Sequence, residues 1–267
     1  VSDLQVLWSR LAHESAVWVQ VVEVQGSGPR EVGAWMVVFA RSQVGTIGGG
    51  HLEWKALAHA RAALAGAALE ARQRHALGPS LGQCCGGVVH LSLKKVSADD
   101  MPSLRKSLLE PAHPLALFGG GHVGQALVQA LAPLPFALTW VDSRDGIFPV
   151  DVPPSVVCEH SDPVQWAVRD LPPGSAVLIM SFSHAEDLDV LAECLLRQRR
   201  QADLRWVGLI GSQTKWASFR HRLAERGFAE ADWAGVACPI GLAGIKGKQP
   251  AVIAASVAAQ LLQVFGL

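Results

Sequence analysis

No run of this sequence is long and apolar enough to suggest a membrane span. The most apolar segment, AVIAASVAAQLLQVFGL at 251–267, is short and broken by Ser256, Gln260 and Gln263, so it reads as a buried helix. Neither charge is in surplus. Lys plus Arg number 23 and Asp plus Glu number 23, a formal net charge of zero, which speaks against the broad basic face that nucleic-acid binding requires. Cysteine is scarce. The five present are odd in number and their spacing gives no disulfide framework, so a reduced, cytoplasmic protein is expected. There is no CxxC pair and no HExxH, which argues against a structural zinc site. The first residues carry no basic segment followed by an apolar stretch, so no secretory leader is expected. Internal repeats and low-complexity tracts are also missing.

What is present is apolar sequence in quantity. Half of the 267 residues are hydrophobic, enough for two modest domains or one large one. The polar, proline-bearing stretch SADDMPSLRKSLLEPAHP at 97–114 interrupts two apolar regions and reads as a linker holding one short helix. It divides residues 1–96 from residues 115–267. Before it, the pattern predicts a helix over 4–14, strands over 16–24 and 34–40, a helix from His51, and strands near 69–77 and 88–96. That is a small α+β domain. After it, strands at 114–119, 136–142, 155–159, 175–181 and 204–211 alternate with helices at 122–132, 185–199 and 213–226. A last helix runs over 250–264, with Pro250 suited to its first turn. The expected fold is therefore α/β: a small N-terminal α+β domain, then a Rossmann-like, doubly wound, mostly parallel sheet.

Four stretches carry candidate chemistry. GGGHVG at 119–124 fits G-x-G-x-x-G through Gly119, Gly121 and Gly124, between a strand and a helix, with His122 inside the loop. Such a loop brings backbone N–H groups to a phosphate. Asp142 ends the next strand, 18 residues after Gly124, where an acid can reach a ribose hydroxyl. The bland reading is that the glycines only pack helix on strand. Arg144 suits a phosphate or, equally, solvent. TIGGGHLE at 46–53 places Gly48, Gly49 and Gly50 at a second helix start, which fits either an anion site or a tight turn with Glu53 as a helix-dipole residue. LGQCCGGVV at 81–89 sets Cys84 and Cys85 before Gly86. Those are soft donors for a thiophilic metal, activated thiols, or two small apolar side chains in a turn. SFSHAEDLDVL at 181–191 puts Ser183, His184 and Asp187 at a strand's C-terminal end, where ligands bind in open sheets and where Ser183 can also cap a helix. GLIGSQTKW at 208–216 repeats the geometry, with Ser212 as a cap and Lys215 as an anion partner. His13, His59, His75 and His221 show no ligand spacing and read as surface or half-buried residues.

Taken in order, GSGPR, GTIGGGHLE, GPSLGQCCGG, LFGGGHVGQAL, VDSRDGIFP, SHAEDLDVL, GLIGSQTKWASF and CPIGLAGIKGKQPAVIAASVAAQLL resemble the XdhC/CoxI family of xanthine dehydrogenase accessory proteins over nearly the whole chain. The QCCGG form resembles the XdhC branch. The resemblance implies a chaperone for the molybdenum cofactor, a pterin dithiolene bearing a phosphate (molybdopterin). It would hold the cofactor while a cysteine desulfurase supplies sulfur, then deliver it to the xanthine dehydrogenase apoenzyme, without turnover of its own. It further implies Cys85 as the functional thiol and molybdenum ligand, Cys84 beside it, and a homodimer. The glycine loops would receive the cofactor phosphate, and the Rossmann-like domain leaves room for a nucleotide. The competing expectation is an NAD(P)-dependent oxidoreductase using the 119–124 loop, with His184 as acid/base.

Overall fold

The computed structural model describes residues 3–77, 87–108 and 112–267. It divides into two compact units, Val1–Leu109 and Glu110–Leu267. The first begins with α1 (Asp3–Leu11), followed by β1 (Ala16–Gln25), β2 (Trp35–Val38) and β3 (Gln43–Gly45). It continues through α2 (Gly50–Leu64), β4 (Arg72–Ala76), β5 (Val88–Val96) and α3 (Met101–Leu108). The five strands form one antiparallel sheet in the order β3-β2-β1-β5-β4.

Alternation along β1 explains its layers, because successive strand side chains face opposite sides. Val17, Val19 and Val21 pack with Met36, Leu91 and, from α2, Leu52, Ala56 and Ala60. Ala16 and Trp18 face the other way, toward Leu7 and Leu11 of α1 and Leu104 of α3. Both faces of the sheet are covered, so β1 reads as a nearly continuous apolar run. Leu104 lies in this core, so the stretch expected to be a linker contributes a helix that packs as part of the first unit.

The second unit alternates strand and helix: β6 (His113–Phe118), α4 (His122–Leu131), β7 (Phe136–Asp142), β8 (Val156–His160), β9 (Ala176–Ile179), α5 (His184–Gln201), β10 (Trp206–Leu209), α6 (Gln213–Glu225), α7 (Glu230–Trp233), β11 (Val236–Ala237) and α8 (Pro250–Phe265). All its strand pairs are parallel, in the order β11-β10-β9-β6-β7-β8. Leu115 and Leu117 of β6 turn to α4 and α8, and Ala116 and Phe118 turn to α5 and α6. This is the doubly wound, Rossmann-like arrangement the alternating pattern predicts. The strand order reverses between β6 and β9, the place where such sheets open a ligand crevice at their C-terminal edge.

Arg197 of α5 closes the other end of this unit. It is 6% exposed and forms two hydrogen bonds to Asp203, at 2.9 and 2.8 Å. It also donates to the carbonyls of Val168 and Leu171. Those carbonyls belong to a 3-10 segment at Val164–Asp170 and its exit, elements the sequence pattern did not foretell, as it did not foretell α7 or the two-residue β11.

Candidate functional site

The loop after β6 separates glycines that serve packing from one that serves access. Gly119 has φ +125°, and a Cβ there would lie 2.0 Å from the carbonyl oxygen of Met180 after β9. A Cβ on Gly124 would lie 2.0 Å from the carbonyl oxygen of Gly119. Both positions need glycine because backbone meets backbone. Gly121 differs. It is the N-cap of α4, no side chain caps the helix there, and nothing lies within 4 Å of where its Cβ would stand. The first turn of α4, including exposed His122, therefore opens to a ligand, with the N–H groups and the positive end of the helix dipole available.

Asp142, at the end of β7, is 1% exposed and fully engaged. Its Oδ2 accepts from Gly120 N at 2.6 Å, and Arg144 binds both oxygens at 2.9 Å while adding its own backbone N–H. Burial alone would raise the carboxyl pKa. The hydrogen bonds from Arg144 and Gly120 and the guanidinium charge outweigh it and hold the pKa below the usual range. The carboxylate thus fastens the glycine loop from inside. It has no lone pair turned out to a ribose while Arg144 keeps this position. Arg144 in turn lies 4.5 Å over the ring of Phe182.

The loop after β9 follows the same rule. Ser183 caps α5 by accepting from Glu186 N at 3.2 Å. Glu186 accepts from Phe182 N and from Ser143 Oγ, tying the ends of β9 and β7 together. Asp187, 2% exposed, accepts from Ser181 N and from Lys215 Nζ, each at 2.6 Å. Lys215 also donates to the carbonyl of Ile210, so it is committed to the protein rather than to an outside anion. Ser212 caps α6. His184 is exposed at the first position of α5, its ring edge toward Phe219.

Beyond β10 and β11 lies a cavity of about 580 Å³ walled by the 239–248 segment, with Lys246 and Lys248 on its lining. Leu242 N bonds Ser256 Oγ and Gly241 N bonds Gln260 Oε1, which anchors the segment to α8. Sequence reading missed this wall. Its glycine and lysine spacing, GLAGIKGK, was the available signal.

In the first unit, the Gly48–Gly50 turn is filled by Glu53. This carboxylate accepts from Ile47 N (3.0 Å), Gly49 N (3.1 Å), Gln43 Nε2 (3.0 Å) and the Thr46 hydroxyl. Burial works to raise the Glu53 pKa, and those four hydrogen bonds bring it below the usual value. The N–H groups that could hold an outside anion therefore already hold one from the chain. Leu77 N bonds the carbonyl of Gly87, closing the β4–β5 pair. Cys84, Cys85 and Gly86 lie outside the described residues. Of the other cysteines, Cys194 is buried and Cys238 half-buried, and burial raises the pKa of both. No group of three or more metal-ligating side chains occurs among the described residues.

The structure thus brings Gly119, Gly121, His122, Gly124 and Asp142 to one sheet edge, together with the loop that carries His184. Gly48, Gly49 and Gly50 sit in the other unit. A parallel sheet with an uncapped glycine loop at its switch point defines a Rossmann-type domain. Residues 115–261 match the XdhC Rossmann domain and residues 9–74 match the model described as XdhC and CoxI family, so the chain belongs to the XdhC and CoxI family. It is 31% identical over 252 residues to the Escherichia coli K12 protein named "Uncharacterized protein YqeB", covering 92% of this chain and 42% of that one. The chain therefore spans less than half the length of that relative. A crystal structure from Bacillus halodurans, described as a xanthine dehydrogenase, superposes with a TM-score of 0.76 at 20% identity, covering all of this chain and 96% of the other. That likeness is one of fold.

Proposed function

We propose that this protein is a maturation factor for xanthine dehydrogenase that holds the molybdenum cofactor and hands it to the apoenzyme, without turnover of its own. The family supports the maturation role. The observation that carries the ligand reading is Gly121: an open N-cap over α4, beside a glycine loop whose neighbouring carboxylate is already bound by Arg144. That arrangement suits a phosphate without a ribose better than it suits a nicotinamide dinucleotide, whose ribose needs a free acid at Asp142. A phosphate fits there by charge and space. Gly119, Gly124, His122, Asp142 and His184 shape the edge around it. When bound, the cofactor would supply the molybdenum and its exchangeable sulfur ligand. On the family resemblance alone, the Cys85 thiolate, with Cys84 next to it in sequence, would be the soft donor for such a metal; both lie outside the described residues, as does Gly86. A cysteine desulfurase as sulfur source, a homodimeric state and a cytoplasmic location complete the proposal.

The test is cofactor content. The protein is produced in a host that makes molybdopterin, purified without oxygen, and assayed for pterin fluorescence and for molybdenum. Wild type should carry both, Cys85→Ala should lose metal, and Gly121→Val should lose pterin. A wild type that carries neither, even when offered free cofactor, ends this reading. Saturable nicotinamide binding abolished by Asp142→Ala would put a dehydrogenase in its place.

A further inference from the structure

A second polar cluster lies in the first unit, away from every motif discussed so far. Gln73 of β4 is 4% exposed, which is unusual for a side-chain amide. Its Nε2 lies 2.6 Å from His59 Nδ1 on α2, and its Oε1 lies 3.2 Å from His75 Nε2 on β4. Gln73 and His75 are two apart on a strand and share a face, and His59 comes to them from the helix packed on that side. Both imidazoles line a cavity of about 410 Å³ together with Trp54, Lys55 and Arg74.

The amide imposes a rule on the two rings. A primary amide offers one donor group and one acceptor, so one histidine must accept from it while the other donates to it. Whichever way the amide lies, the accepting ring is neutral, and at most one of the two can carry a second proton. Burial, then the nearby Lys55 ammonium and His59, lower the pKa of His75. With both rings neutral, the nitrogens turned away from Gln73 are Nε2 of His59 and Nδ1 of His75. One of them bears a proton and the other a lone pair. Neither has a protein partner among the described residues. A flip of the amide exchanges the two roles.

The walls complete the set. Trp54 is 62% exposed, with the His51 ring stacked on one side of it at 5.4 Å between centroids. Lys55 and Arg74 form no salt bridge among the described residues. Glu70, on the same lining, offers an acceptor to an exocyclic amine.

We propose that the cavity between α2 and β4 binds a planar bicyclic heterocycle with an adjacent hydrogen-bond donor and acceptor on one edge and an anionic substituent. That edge meets His59 and His75, the ring stacks on Trp54, and the anion meets Lys55. Pterins and purine nucleotides share this chemistry. For either class this is a site separate from the glycine loop at Gly121, and the inference stands apart from the cofactor reading above.

The test uses the full chain and three probes: pterin-6-carboxylate, guanosine 5′-monophosphate, and 2-naphthoate as a planar anion with no donor–acceptor edge. Affinities come from equilibrium dialysis. One or both heterocycles should bind saturably at one per chain, and which one binds identifies the source. Trp54→Ala and His59→Ala should each weaken that binding at least tenfold, and Trp54→Ala, at an exposed position, should do so without lowering the melting temperature. The proposal is overturned if neither heterocycle binds, if both variants bind as wild type does, or if naphthoate binds as well as the heterocycles. Copurified pterin lost in Gly121→Val, with neither heterocycle bound in dialysis, would leave the cofactor reading standing and remove this one. Nucleotide binding lost in Trp54→Ala, with no pterin ever copurifying, would do the reverse.

Discussion

Gly121 and Gly124 sit three residues apart in one loop, yet opposite outcomes are expected when each is replaced. At Gly124 a Cβ would stand 2.0 Å from the Gly119 carbonyl oxygen, where ordinary contact begins at 3.4 Å. The obstacle is backbone held by β6, and Gly119 is itself pressed against Met180, so more than 1 Å must come from moving α4 off the sheet. Overpacking of this kind costs about 1–3 kcal/mol or more. In a unit of this size that lowers the melting temperature by on the order of 5–10 °C. Gly121→Ser meets open space at φ −71°, ψ −176°, angles a serine adopts freely, and serine is a better N-cap than glycine by a few tenths of a kcal/mol. Its melting temperature should stay within about 2 °C of wild type. Its hydroxymethyl group nonetheless stands where a ligand would approach, so retained pterin should fall sharply. Circular dichroism melts read the first effect and pterin fluorescence the second. Equal destabilisation by Gly121→Ser and Gly124→Ala would refute the division of the loop into packing and access. Full pterin retention in Gly121→Ser would refute the access half alone.

Other perturbations test the framework around the sites. Arg197→Ala should destabilise the second unit by roughly 3 kcal/mol, because it strips Asp203 and two carbonyls of their donor at once. Urea denaturation with an unchanged midpoint would contradict this. Lys215→Met leaves the Asp187 charge buried beside Ser181 N and should cost about 3 kcal/mol, much of it recovered in the double variant with Asp187→Asn. Failure of the double variant to recover would mean the lysine acts by packing. Glu53 has a folded pKa below its unfolded value of about 4.3, so its stabilisation is present above that pH and is lost as the pH falls through the folded pKa. Glu53→Gln should therefore be less stable than wild type at pH 7, by on the order of 1 kcal/mol, with the gap closing in acid. A gap constant from pH 7 to pH 3 would contradict the assignment.

The alternation of apolar strand and amphipathic helix made the second unit legible, because its central strands β6 and β9 are buried on both faces. The helix expected from His51 begins at Gly50, and the strand expected over 34–40 is β2 at Trp35–Val38. The two-residue β11 escaped notice because two residues carry no period. Side-chain partnerships were harder to read. Asp142 at a strand end followed by Arg144 suggests a ribose and a phosphate contact, and only the folded loop reveals that the two bind each other. Lys215 is similar: near a sheet edge it reads as an anion receptor, but its anion is Asp187, 28 residues earlier on a different helix. His59 and His75 show no ligand spacing because they reach one another across a helix–strand contact, and the residue that joins them is a glutamine.

Glu53 and Asp142 each gather two backbone N–H groups of a loop around a carboxylate from the same chain. Such loops are already shaped around a negative charge, so they are dormant receptors whose resident happens to be tethered. Shortening a tether, as in Glu53→Ala, would vacate a formed anion pocket rather than demolish one. New ligand specificities in relatives of this chain could thus arise by losing a single acid, with no new loop to be invented.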